Sequence, residues 1–244
     1  IGQLVVGAEG SSLKDRSSGT VVRFNHIDAA ARALDLVEIE GGYIVDDPLY
    51  PYAWVYGNVI VSDHRGDARA SALAIHWGGD NDPRYYRNGT MYFYNNTVHT
   101  HADKSDYWYV TVFDIIDDDH SIDAHNNVFV HSGDAEHYFG YTNGTINLLD
   151  TNWVSSGWTK GQQGVNLVQG GGALLDEQLS PLDVTLHPLA GSSIVNQVPL
   201  NTLPTVSGAE MDNLKADHEY HSVLGMASRT MQGTHMDLGA YELQ

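Results

Sequence analysis

The chain has 244 residues, 42% hydrophobic, 10% aromatic and 18% charged, with no cysteine. That is enough apolar material for one large folded domain, and it excludes disulfides, thiolate metal sites and cysteine nucleophiles. Twelve Lys and Arg against 31 Asp and Glu leave a formal charge of −19, which repels nucleic acid and anionic membranes.

No apolar run approaches the ~18 residues needed to cross a bilayer, so the chain is expected to be soluble. Neither an initiator Met nor a signal peptide precedes Ile1, which reads as the start of a processed chain or a fragment. An anionic ligand on so acidic a protein would need local Lys, Arg or bound metal. The sequons at Asn88, Asn95 and Asn143 read better as turn chemistry than as glycosylation sites.

Along the chain, "VVRFNHI" (21–27), "WVYGNVI" (54–60), "GTMYFYNNTVHTH" (89–101), "DAHNNVFVH" (123–131) and "LLDTNWV" (148–154) repeat one pattern: apolar residues, an Asn, then more apolar residues. They place Asn25, Asn58, Asn96, Asn127 and Asn152 at separations of 33, 38, 31 and 25. Between them lie "ALDLVEI" (33–39), "ALAIHW" (72–77), "YVTVFDI" (109–115) and "GTINLL" (144–149), strand-like and without the Asn. Only "AAARAL" (29–34) has good local helix propensity.

Short strands at a loose period of 20–50 residues mark a repeat architecture. A propeller needs four strands per unit, and a sandwich needs hairpin turns and strict alternation; neither is present. The expected fold is all-β, a right-handed parallel β-helix, whose turns absorb insertions while inward residues stack from coil to coil. The recurring Asn is then a turn residue bonding along the stack, as amide ladders do in cross-β structures. Coils are expected over 1–179. The Pro- and polar-rich remainder, 180–244, is expected to be a final coil and cap of the same domain, covering an open end.

"DLGAYE" (237–242) and an "LxxxSxxxN"-like stretch at Leu189–Asn196 resemble the ending of bacterial right-handed parallel β-helix proteins of the pectate-lyase-like, polysaccharide-degrading type. "SLKDRSSGTVVRFNHI" and "HWGGDN…YRNGTMYFYNNTV" resemble the same group, so the likeness spans about residue 9 to the end. It implies a secreted or periplasmic protein whose partner is a polysaccharide, acidic in type.

A finer likeness is to alginate- and chondroitin-cleaving lyases, in which a Glu calcium ligand stands five residues before a proton-abstracting Lys. Here Glu9 precedes Lys14 by five. The resemblance implies Lys14 as base, Glu9 as metal ligand, calcium as cofactor, and Arg16 and Arg23 as cations near the substrate carboxylate. The reaction would be β-elimination, in which a cation neutralises the uronate carboxylate while a base removes the adjacent proton. The chain departs from that pattern at "RALDLVEIEG", where Asp35 and Leu36 stand in place of the expected Arg and His.

"IHWGGDNDPRYYRNG" (75–89) gathers His76, Trp77, Arg84, Tyr85 and Arg87 in one insertion, candidates to bind sugar rings and uronate groups; Trp158 is a further candidate platform. Asp117, Asp118 and Asp119 read as a turn rather than as hydrolase carboxylates. Two functions follow: a lyase on acidic glycans, or a non-catalytic glycan-binding or structural β-helix module of a larger protein.

Overall fold

A computed structural model describes residues 10–29, 31–64, 73–161, 165–170, 174–177, 180–199 and 214–243. The chain is a right-handed parallel β-helix; its described residues form six coils, each giving one strand to each of three six-stranded parallel sheets. The first coil holds β1 (Ser11–Lys14), β2 (Thr20–Arg23) and β3 (His26–Ala29); the second holds β4 (Arg32–Leu36), β5 (Tyr52–Tyr56) and β6 (Val59–Asp63). The third holds β7 (Leu73–Trp77), β8 (Thr90–Tyr94) and β9 (Thr97–His101). The fourth holds β10 (Tyr109–Ile115), β11 (Ser121–His125) and β12 (Val128–Ser132). β13 (Glu136–Thr142), β14 (Thr145–Leu149) and β15 (Asn152–Ser155) make the fifth. β16 (Thr159–Gly161), β17 (Asn166–Gly170) and β18 (Leu174–Glu177) complete the sixth. Sheet A takes the first strand of every coil, sheet B the second and sheet C the third.

The core is built from in-register rows. Val22, Val55, Phe93, Ala124 and Leu148 line up on sheet B; Ile27, Ile60, Val98, Phe129 and Val154 do so on sheet C. Leu13, Leu34, Ile75 and Phe113 continue the pattern on sheet A, and these rows form one buried cluster. Phe93 and Phe113 meet edge to face at 5.2 Å, filling the middle of the solenoid.

Sheets B and C are joined by two-residue turns, and here the recurrent Asn finds its reason. The turn opens with a left-handed residue: Phe24 (φ 54°), Gly57 (φ 63°), Asn95 (φ 51°) or Asn126 (φ 56°). Asn25, Asn58, Asn96 and Asn127 follow, and each amide nitrogen donates to the Oδ1 of the next, at 3.0, 3.1, 3.2 and 3.1 Å, ending on Asn152. Each Oδ1 from Asn58 onward also accepts the backbone N–H of the previous ladder residue at 2.9–3.0 Å. The ladder amides are thereby satisfied, whereas the side-chain nitrogens of Asn95 and Asn126, which open two of the turns, are buried without a partner.

Segments 180–199 and 214–243 lie along the outside of the solenoid, against the outer face of sheet C and, at Leu214 and Ala216, against Trp54, Tyr56 and Tyr94 of sheet B. Leu182, Ile194, Val198 and Leu238 pack on Val128, Val130 and Trp153, an outer face too apolar to stand in water. The "DLGAYE" ending is the fastening: Gly239 N–H donates to Asn126 O at 2.9 Å and Ala240 N–H to Thr97 Oγ1 at 3.0 Å. Gly239 (φ 83°) could carry no side chain there, because a Cβ would stand 2.6 Å from Thr97 Oγ1. Arg229 pairs with Glu242 at 2.5 Å, and the antiparallel pair β19 (His218–His221) and β20 (Gly225–Ser228) closes the region. Among the described residues no helix is long and apolar enough to cross a membrane.

Candidate functional site

Parallel strands in register place like positions of successive coils ~4.8 Å apart, so a polar residue repeated at one strand position becomes a row. On sheet A the row is Lys14, Asp35, His76, Asp114 and Tyr141, each paired in register with the next. Lys14 Nζ lies 3.2 Å from Asp35 Oδ2, and Asp35 Oδ1 lies 3.3 Å from His76 Nδ1. His76 Nε2 is 3.7 Å from Asp114 Oδ2, which the Arg32 guanidinium approaches to 3.6 Å. Asp35 is 4% exposed and His76 3%, while the Lys14 side chain is half exposed.

Burial works to raise the Asp35 carboxyl, but His76 and Lys14 beside it outweigh that and hold it well below the usual carboxylate range. Asp35 Oδ1, His76 Nδ1 and Arg32 Nε are buried without an aligned hydrogen bond. Ionic groups kept in such a place are costly where apolar residues would serve.

Beyond Asp114 the face turns aromatic. Tyr109 stacks on Tyr138 at 5.9 Å and on Tyr141 at 6.0 Å, and Trp108, 55% exposed, sits edge-on against Tyr109. A hydrogen bond to Glu136 pushes the Tyr138 phenol up to about 12; burial first, then neighbouring tyrosines, push Tyr109 up as well. Both phenols therefore keep their protons in neutral solution.

The three residues expected to be catalytic do not converge. Lys14 is on sheet A, in an ion pair with the Asp35 carboxylate. Arg16 follows β1 in the turn, with Nη1 buried and unbonded. Arg23 ends β2 on sheet B, where it donates to Tyr56 Oη at 3.1 Å. Glu9 lies outside the described residues. Among the described residues no three carboxylates or imidazoles converge as metal ligands, so calcium enters no step below.

The 75–89 insertion divides its residues differently from the expectation. His76 joins the sheet A row. Trp77 is fully buried in the core, because its strand turns that position inward, and it offers no open face to a sugar. Arg87, 1% exposed, is a clamp: it donates to Val37 O at 3.0 Å, Tyr50 O at 3.1 Å and Asp15 O at 3.5 Å, with its guanidinium over Tyr50 and Trp77. Arg84 is exposed and paired with Asp82 in the short 3-10 turn Pro83–Tyr85, and Tyr85 lies under it at 5.2 Å. Trp158 covers Phe139 at 5.1 Å and donates to Ser155 Oγ, so it packs the core more than it meets solvent.

Asp35 and Asp114 are absent from the expected set, and so is Arg32. Their signal was in the pattern: "LDL", "IHW" and "FDI" each put one polar residue between apolar neighbours near a strand end.

Comparison with protein-family models, with curated proteins and with solved structures gave no match.

Proposed function

We propose that this is an extracellular polysaccharide-active β-helix that lays an acidic glycan along sheet A, and that the reaction it supports is β-elimination. The observation that carries the reading is the in-register row Lys14–Asp35–His76–Asp114, flanked by Arg32 and leading into the tyrosines. The half-exposed Lys14 and the Arg32 guanidinium pair with the uronate carboxylate and acidify the neighbouring C–H. His76, whose Nδ1 lies 3.3 Å from Asp35 Oδ1 and whose Nε2 lies 3.7 Å from Asp114 Oδ2, takes that proton at Nε2. Tyr109 keeps its phenol proton for the departing oxygen, and Tyr109 and Tyr141 give the sugar rings flat faces.

The test offers alginate, polygalacturonate, chondroitin sulfate and dermatan sulfate, with and without calcium, and follows the ultraviolet absorbance of the unsaturated uronate product. A rise lost in His76→Ala supports the reaction. A flat trace on every glycan removes it.

One observation favours a second reading, a non-catalytic glycan-binding module. Asp35 and His76 are almost wholly covered, leaving Lys14 as the accessible charge. Retardation by the same glycans without product would select it.

A further inference from the structure

A second row crosses sheet C at the strand ends, where Asp63, His101 and Ser132 are paired in register on three successive coils. Ser132 Oγ lies 2.7 Å from His101 Nδ1 and 2.8 Å from His99 Nε2. A hydroxyl has one proton, so one imidazole must accept it while the other donates to the oxygen. The surroundings choose between them. His101 Nε2 is buried, has no hydrogen bond and stands 3.7 Å from Asp103 Oδ2, so its proton belongs there and Nδ1 is the acceptor. His99 Nε2 then carries the donated proton. Imidazole and serine hydroxyl thus stand within the hydrogen-bond reach that nucleophilic catalysis uses, with a second imidazole bonded to the oxygen and the Asp103 carboxylate 3.7 Å beyond His101.

Ser132 and His99 open onto a pocket of about 460 Å³ between sheet C and the 180–187 turn, a volume suited to a small ligand. His26, Val61 and Val130 line its sheet side, and Leu186 lines the far wall. Leu186 is held at φ 65°, a conformation costly for a branched residue and common where a site needs an unusual backbone.

We propose that this pocket is an esterase site, independent of the sheet A face, with Ser132 as nucleophile, His101 as base and a short O-acyl ester as substrate. Ser132 Oγ adds to the ester carbonyl as His101 Nδ1 takes its proton. The carbon–oxygen bond to the alcohol then breaks, and His101 returns the proton to the departing alkoxide. Water, deprotonated by the same imidazole, adds to the acyl-serine and releases the acid and free Ser132. No co-reactant other than water is needed.

The experiment treats the whole chain with a fluorophosphonate probe, maps the adduct by peptide mass spectrometry, and measures p-nitrophenyl acetate hydrolysis in parallel. The proposal expects one adduct, on Ser132, and hydrolysis that falls at least a hundredfold in Ser132→Ala and in His101→Ala, with Ser17→Ala unchanged. Mapping the adduct on the unaltered protein makes the result independent of whether a variant folds. No adduct, an adduct on another residue, or hydrolysis that persists in Ser132→Ala overturns it.

Discussion

His76 and Asp35 face each other across sheet A with Nδ1 and Oδ1 3.3 Å apart, both almost sealed from water and neither atom in an aligned hydrogen bond. The depressed Asp35 carboxyl is charged in the folded chain and stabilises it at pH values above the ordinary carboxylate range, ~4. That contribution is lost as pH falls below this range toward the lower folded value. Asp35→Asn should flatten the acid limb of stability against pH, measured by denaturant midpoints; an unchanged limb would mean that the pair carries no such linkage.

His64 gives the same sign for a different reason, because here it is the neutral form that the fold keeps. Burial, its largest influence, lowers the imidazole from 6.5 to about 4, so the folded state resists a proton that the unfolded chain accepts. Stability is full above pH 6.5 and falls between there and about 4, at about 1.4 kcal/mol per pH unit for this one site. His64→Gln should remove that slope from the urea-unfolding free energy. A slope that survives intact would place the acid sensitivity elsewhere.

Asn96 sits in the middle of the amide ladder, donating to Val55 O and Asn127 Oδ1 and accepting from both the backbone and side chain of Asn58. Asn96→Ala strands several buried partners and should cost roughly 2–4 kcal/mol in equilibrium unfolding. Asn25→Ala, at the partly exposed end of the ladder, should cost clearly less. Equal losses would show that the ladder does not act through buried hydrogen bonds.

Arg87→Ala should cost roughly 3–5 kcal/mol, because three backbone carbonyls lose their donor in a buried place. Arg87→Lys should rescue little, since an ammonium cannot span the same carbonyls. Arg84→Ala, on an exposed pair, should leave the thermal midpoint unmoved. A silent Arg87→Ala would return that residue to the candidates for ligand binding.

The ladder was legible in the sequence because burial at a two-residue turn tolerates few residue types, so Asn25, Asn58, Asn96, Asn127 and Asn152 stand out. The strand count was less so. "VVRFNHI" holds β2 and β3, and its turn opens on a left-handed Phe24 that gives no turn signal, leaving Asn25 as the one mark of the break. "GTINLL" looked equivalent to "ALAIHW", but the first belongs to sheet B and the second to sheet A, a distinction that alternation alone does not encode. Helix propensity in "AAARAL" yields at Arg32–Leu34 to pairing with β1 and β7, where the apolar residues are needed inward. The sheet A row left a local signal at each member, one polar residue between apolar neighbours, but its assembly was not legible because its members are 21, 41 and 38 residues apart and only register brings them together.

The most direct test of the glycan face is affinity electrophoresis in gels containing alginate or polygalacturonate. The unaltered protein should be retarded, Lys14→Ala and Arg32→Ala should migrate freely, and Arg84→Ala should be retarded as before. Retardation that survives both sheet A substitutions, or none for the unaltered protein, would contradict the assignment of glycan binding to sheet A.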